Sequence, residues 1–458
     1  MQKRTVALAL TLAVSALLPV AVPAQAAPPP GRGPGSGFYA TKTPYAPQQN
    51  PRSYQRAPKG FVPVFTENVS RHGSRAASDS EDGDLILALW EKARAEGRLT
   101  PSGERFGEEV RSLLAAMERV GYGQLSGRGV REMRETAARL EERLPGLFAR
   151  IAERSERIDV VSSGKDRAVD SGNLFAGALA ARNPALAPLI GPARTDPDLL
   201  YFHKAAGGAE YRDYVENDAR LAATLDAITD QPATHTAARR VLGKIFAPEF
   251  VRRISAGEFA SVGTEVEAAQ AVYALYSIAP AMADEGDWDL SRWIAPREAR
   301  WFAYLSDAED FYEKGPGFDD SDITYRMANV LLDDFFAKID AARNGTGGPG
   351  AELRFTHAEE IIPLAALMGL PGSTRAVSPE RPYTYADNPW RGGSVAPMAA
   401  NIQWDLFRSG NGDGSAYLVR MLYNEKETAF RTGCAPVTKG SYFYEVDELK
   451  RCLGREAS

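Results

Sequence analysis

Residues 61–75 read Phe-Val-Pro-Val-Phe-Thr-Glu-Asn-Val-Ser-Arg-His-Gly-Ser-Arg. Phe61, Val62, Val64 and Phe65 form a short apolar and aromatic run that predicts a buried strand. The run leads into a polar cluster of Arg71, His72, Gly73, Ser74 and Arg75. In open α/β sheets ligands bind beyond the carboxyl ends of the strands, so the stretch predicts both a fold class and a place for chemistry. Two guanidiniums flank one imidazole. That arrangement suits a dianionic phosphoryl group, because each arginine offers a planar fork of donors to phosphate oxygens. His72 then stands as the nucleophile, and Gly73 lets the backbone approach the ligand with no Cβ in the way. Taken alone, the cluster reads equally well as an exposed basic turn.

Recurrence separates the two readings. The chain has four histidines, and a second one, His357, also follows a strand-like run, Leu353-Arg354-Phe355-Thr356. Ala358 and Glu359 come next and open a helical pattern. A third strand, Ile158-Asp159-Val160-Val161, runs into Ser162-Ser163-Gly164-Lys165-Asp166-Arg167 before a helix over 168–181. A polar, glycine-containing turn between strand and helix can present donors at the same sheet edge.

Together these segments resemble the histidine acid phosphatases, the branch of the histidine phosphatase superfamily that includes the phytases. The pairing of Arg71-His72-Gly73-Ser74-Arg75 with His357-Ala358-Glu359 carries the resemblance. The His-Ala-Glu form is similar to the multiple inositol polyphosphate phosphatase subgroup, whereas other phytases carry His-Asp. The likeness extends from about residue 56 to the C-terminus. It implies a three-layer α/β/α domain with a mixed central sheet. It implies His72 as nucleophile, Glu359 as proton donor, and Arg71, Arg75, Arg167 and His357 as phosphate ligands. Arg167 falls on a Thr-Ser-x-x-x-Arg segment of the family, with Ser162 where threonine is usual. Glu360 is a rival for the acid, and the family spacing selects Glu359. The helix N-terminus favours the carboxylate there, while burial and a bound dianion favour the acid form. No metal and no other cofactor is implied, because the guanidiniums take the place of a metal clamp and no histidine and carboxylate cluster has ligand spacing. The substrates implied are phytate and lower inositol phosphates, and bisphosphoglycerate.

The rest of the chain fits export. Lys3 and Arg4 precede an apolar run over 5–22, and Ala24-Gln25-Ala26 gives a small-x-small cleavage site, so residues 1–26 read as a signal peptide. No later stretch approaches about 18 uninterrupted apolar residues, which predicts no membrane span after its removal. In an exported chain the two cysteines, Cys434 and Cys452, predict a disulfide that ties down the C-terminal tail. A net charge of −6 argues against a nucleic-acid binder and makes any anion site a local one. Residues 27–55, rich in Pro, Gly, Gln and Tyr, read as a linker or poorly ordered arm. The α/β domain is assigned to 56–183 and 345–458, with a mostly helical domain inserted over 184–344. His203 and His235 lie in that insertion without metal-like neighbours and read as surface or structural. Ile402, Trp404 and Leu406, with a second strand over 417–423, read as a hairpin added to the sheet. Asn68-Val69-Ser70 and Asn344-Gly345-Thr346 match the glycosylation acceptor pattern.

Two other classes stay open on the sequence alone. A phosphoglycerate-mutase-like transferase shares Arg-His-Gly, but export and the large helical insertion suit extracellular scavenging better. A non-catalytic phosphate-binding surface protein would have no need of a second histidine beside a carboxylate.

Overall fold

The computed structural model describes residues 37–345, 348–410 and 416–455. The signal-peptide assignment, the first part of the predicted arm (27–36) and Thr346 of the second acceptor pattern lie outside the described residues.

The opening stretch forms β1 (Phe61–Arg71), eleven residues long and buried from Phe65 onward. It runs well past its apolar start because it lies inside the sheet, where its polar residues find partners. Thr66 Oγ1 donates to Asp405 Oδ1 at 2.9 Å, and Asn68 Oδ1 accepts from the Arg354 amide at 2.9 Å. Glu67 Oε2 lies 2.9 Å from the Arg354 guanidinium, which also pairs with Asp334 at 2.6 Å. Asn68 is therefore buried and committed, which removes it as a glycosylation acceptor.

The other strands are β2 (Ile158–Ser162), β3 (Arg194–Thr195), β4 (Ala351–Thr356), β5 (Asn401–Ser409), β6 (Tyr417–Tyr423), β7 (Lys426–Glu427) and β8 (Phe443–Glu445). Their order in the sheet is β3-β2-β4-β1-β5-β6-β7, with β8 also paired to β6. The first four are mutually parallel, while β5 and β6 form the expected antiparallel hairpin, so the sheet is mixed. β4 inserts between β2 and β1 although it comes nearly two hundred residues after β2. Arg71 pairs with Thr356 and Ser162 with Phe355, so the three strands end level with one another. The histidines that follow β1 and β4 are thereby neighbours.

Helices cover both faces. α1 (Glu81–Ala95), α2 (Phe106–Val120), α3 (Gly127–Arg143), α4 (Pro145–Arg154) and α5 (Asp166–Arg182) all lie between β1 and β3 in sequence. On one face Met133, Leu140, Phe148 and Phe175 pack with Leu353 and Phe355 of β4. On the other, Phe335, Phe336 and Ile361 pack with Ile402, Trp404 and Leu406 of β5. Alternate strand residues feed the two cores, as the twofold period of a strand requires. Within 184–344, β3 joins the sheet and the helix Asn329–Asn344 packs on β1, while α1, from before that stretch, packs with the helix Glu265–Ile278 and with α2, and α2 with the short helix Ala279–Met282.

Residues 37–55 differ from the loose arm predicted for them. They form two single-turn helices, Ala40–Lys42 and Pro51–Ser53, joined by extended chain. Tyr45 is buried, with its hydroxyl donating to Glu425 at 2.9 Å and its amide donating to Glu132 at 3.0 Å. Such a segment has no hydrophobic period to read, because distant residues satisfy its backbone. The chain closes with the predicted disulfide, Cys434 to Cys452, at a Cα separation of 5.2 Å. Among the described residues no helix is long and apolar enough to cross a membrane.

Candidate active site

The turn after β1 is held backbone to backbone against the start of α3. A Cβ on Gly73 would lie 2.6 Å from the Gly129 carbonyl oxygen, and one on Gly129 would lie 2.0 Å from that of Ser74. Gly73 is thus required for close packing on α3, a different reason from the ligand approach inferred from sequence. Glu132, one turn further along α3, accepts from the Ser74 amide at 2.8 Å and the Ser74 hydroxyl at 2.9 Å. On α5, Ser171 Oγ accepts from the Gly73 amide at 3.2 Å and donates to the Arg167 carbonyl at 2.7 Å. These bonds tie the Arg71–Arg75 turn to the helix that carries Arg167.

His72 is 2% exposed. Its Nδ1 lies 2.9 Å from the Gly73 carbonyl oxygen, which can only accept, so Nδ1 carries the proton and Nε2 the lone pair. Burial, then Arg71, His357, Arg75 and Arg167, push its pKa well below the usual imidazole value. The ring is therefore neutral at any pH near neutrality, which leaves Nε2 free as a nucleophile. His357 stands edge-on to it, with ring centroids 5.4 Å apart. His357 Nε2 is in hydrogen-bond contact with Ser163 Oγ at 2.8 Å, and its pKa falls to about 3 through burial and then Arg167.

Three guanidiniums surround this pair. Arg71 Nη1 donates to the carbonyls of Thr41 and Ala396 at 2.6 and 2.7 Å. Arg75 Nη1 donates to the Ala76 carbonyl at 2.7 Å, and burial, then Arg167 and Arg71, lower its pKa to about 10. The Nε atoms of Arg71, Arg75 and Arg167, and Nδ1 of His357, are buried without a hydrogen-bond partner among the described residues. Unpaired buried donors are costly. Arg71, Arg75 and Arg167 lie close enough to disfavour one another's charge, and a compact anion placed among them would offset it.

Glu359 and Glu360 part ways at the start of the helix Ala358–Leu367. Glu360 is fully buried and paired with His203, Oε1 to Nδ1 at 2.6 Å. Its Oε2 accepts from Thr356 Oγ1 at 2.8 Å and from the His357 amide at 3.3 Å. Burial raises its pKa. Glu359 keeps about a third of its side chain exposed, 35%, and faces Lys314 at 3.7 Å. Burial works against its charge, but Lys314, His357 and His203 outweigh that and hold the carboxyl well below the usual range. With the Lys314 ammonium beside it, Glu359 favours its carboxylate form.

All six residues singled out from sequence, Arg71, His72, Arg75, Arg167, His357 and Glu359, meet at this sheet edge. His203 is not a surface residue; it is 5% exposed and packs on Tyr201, which in turn packs on His357. His235 bonds Asp230 at 2.8 Å and Glu265 at 3.2 Å, away from the site. Sequence reasoning passed over Glu132, Thr41 and Lys314, none of which carries a local signal. Ser163 stood inside a segment already singled out. Among the described residues no group of three His, Cys, Asp or Glu side chains is placed to hold a metal ion.

The family model of the histidine phosphatase superfamily (branch 2) matches residues 65–424. Multiple inositol polyphosphate phosphatase 1 of Gallus gallus is 25% identical over 459 residues, covering 92% of this chain and 94% of its own. The crystal structure of Bifidobacterium longum multiple inositol polyphosphate phosphatase with inositol hexasulfate superposes with a TM-score of 0.86 at 34% identity. Its complex with phosphate gives 0.88 at 33%. Each superposition covers 91% of this chain and 97% of the other.

Proposed function

Because the chain belongs to branch 2 of the histidine phosphatase superfamily, we propose that it is a secreted phosphatase that hydrolyses inositol polyphosphates, phytate and lower inositol phosphates, through a phosphohistidine on His72. The observation that carries this reading is a neutral His72, its Nδ1 committed to the Gly73 carbonyl, set beside three guanidiniums whose Nε donors lack partners among the described residues. Support for the substrate class comes from the relatives, which are named for inositol polyphosphates. Support for secretion comes from residues 1–26 and from the disulfide.

In this mechanism His72 Nε2 attacks phosphorus in line with the leaving oxygen. Arg71, Arg75, Arg167 and His357 hold the equatorial oxygens and offset their charge. The departing cyclitol oxygen is a poor leaving group, so Glu359 passes it a proton. Glu359 is held as a carboxylate by Lys314, and the like charge of an arriving phosphate raises its proton affinity. Glu359 then takes a proton from the water that displaces His72 and releases inorganic phosphate.

The test is incubation with inositol hexakisphosphate, resolving products by ion-exchange chromatography. A ladder of lower inositol phosphates with stoichiometric inorganic phosphate is expected, undiminished by excess chelator. Bisphosphoglycerate is assayed alongside as a smaller substrate. Isomerisation of a phosphoglycerate without phosphate release would favour a mutase instead.

A further inference from the structure

Lys314 directly follows the helix Pro296–Glu313 and turns its ammonium into a group of carboxylates. Its Nζ lies 3.0 Å from Asp310 Oδ1, 3.7 Å from Glu359 Oε1 and 3.9 Å from Glu313 Oε2, with 13% of the side chain exposed. Among the described residues it is the one cation in ion-pair contact with Glu359. Asp310 is fixed from its other oxygen, which accepts from Thr41 Oγ1 at 3.1 Å, so the lysine is anchored to the same arm that braces Arg71.

We infer that Lys314 is a positioning residue that acts through Glu359, holding that carboxylate in place and anionic until a phosphate monoanion brings in the proton the reaction needs. The inference rests on the role proposed above for Glu359. The carboxylates that surround the ammonium make the need plain. Asp310 and Glu313 both come within ion-pair distance of Lys314, and Glu309 precedes them on the same helix. With these charges uncompensated, Glu359 would bind a proton more readily and an anionic substrate would be repelled. The groups that face Glu359 come from every neighbouring element. They are Lys314 and Glu313; His357 and Glu360 on its own segment; His203 and Tyr201; Tyr211; and Arg71 and Arg75 from the turn after β1.

Protons balance through both steps. A substrate monoanion passes its phosphate proton to Glu359, and Glu359 passes it to the bridging oxygen as the P–O bond breaks and the Nε2–P bond forms. Glu359 is again anionic. It then takes a proton from the attacking water as the P–Nε2 bond breaks, and returns it to the phosphate that leaves. Removing Lys314 should therefore be felt most at low pH in the second step, where a protonated Glu359 cannot act as base.

The experiment is rapid-quench measurement of phosphohistidine breakdown against pH, using p-nitrophenyl phosphate to load His72. It compares wild type, Lys314→Met, Lys314→Arg, Glu359→Gln and the double variant Lys314→Met/Glu359→Gln. Lys314→Met is expected to move the acidic limb of breakdown upward by about one pH unit, the scale of one close charge. Lys314→Arg should restore it, and Lys314→Met should leave the profile of Glu359→Gln unchanged. If Lys314→Met does not fold, Lys314→Gln carries the same expectation. An acidic limb that stays at the wild-type pH, or that moves equally in the Glu359→Gln background, overturns the inference alone. A wild type that forms no phosphohistidine overturns the proposed mechanism and the inference with it.

Discussion

Thr41 presents its backbone carbonyl to the guanidinium of Arg71 at 2.6 Å. The contact joins a segment that has no readable pattern to a residue of the most readable motif in the chain. Thr41 is itself wedged, since a Cβ on Gly392 would lie 2.7 Å from its Cγ2. Two residues on, the Thr43 carbonyl accepts from the Met398 amide at 2.9 Å. Further along, the Tyr45 amide donates to Glu132, the carboxylate that also holds Ser74. The arm therefore braces both ends of the Arg71–Arg75 turn.

Deleting residues 37–43 should accordingly damage the chemistry as well as the fold. A hydrogen bond to a charged group contributes about 1.5–3 kcal/mol, and its loss lets Arg71 drift. At about 1.4 kcal/mol per factor of ten, kcat/KM should fall at least about tenfold relative to the chain beginning at residue 27. Steady-state phosphate release from folded protein measures it. Unchanged kcat/KM would detach the arm from the site.

Arg167 lies on the first turn of α5, with a buried Nε that has no partner among the described residues. If it holds a phosphate oxygen, Arg167→Ala should cost about 10²–10³ in rate, the scale of losing one preorganised donor. Arg167→Lys should recover little of it, because an ammonium lacks the planar fork. His72→Ala should lose at least about 10⁴ while remaining folded. An Arg167→Ala enzyme with full activity would leave that residue only its backbone bond to Ser171.

Much of this architecture is legible where local pattern and chemistry coincide. The strand ends that carry His72, Ser163 and His357 stand out because an apolar run meets a polar, glycine-containing turn. The alternation of Ile402, Trp404 and Leu406 likewise announces β5, and the cysteine pair its disulfide. β1 beyond Phe65 is harder to see, since Thr66, Glu67, Asn68 and Ser70 look like a loop until Asp405 and Arg354 are placed opposite them. The arm is hidden for the same reason. Its partners are Arg71, Glu132, Asp310, Asn401 and Glu425, dispersed along the chain. Glu132 and Lys314 carry no local signal because topology alone brings them to the turn and to Glu359.

Asp307 offers a stability test outside the turn itself. It is 1% exposed, accepts from the Tyr385 hydroxyl at 2.5 Å, and is raised by burial from 3.8 to about 7. A carboxyl raised in the folded state contributes its full stability below its unfolded pKa and loses it as pH rises through the folded one. The wild type should therefore lose stability between about pH 4 and 7 from this residue. Asp307→Asn keeps the acceptor and removes the titration. Between pH 5 and 8 the wild type should lose at least about 1 kcal/mol more than the variant, the scale of one pKa unit. Urea unfolding at several pH values measures this, and parallel pH dependences for the two proteins would contradict it.

The two adjacent glutamates make the sharpest test of the chemistry. A proton donor matters in proportion to how poor the leaving group is. Glu359→Gln should thus cripple the first step with phytate, by at least about 10²-fold, and matter much less with p-nitrophenyl phosphate, whose phenolate leaves unaided. Glu360 is enclosed by His203, Thr356 and the His357 amide, with no exposed surface. Glu360→Gln should therefore lower both substrates by a similar factor, through the placement of His357, and lower thermal stability as well. Single-turnover kinetics separate phosphorylation of His72 from its hydrolysis and give the four comparisons directly. Equal losses on both substrates for Glu359→Gln in the first step would remove it as leaving-group acid. A phytate-selective loss for Glu360→Gln would move that role to the buried residue, and would require the His203 pair to open during turnover.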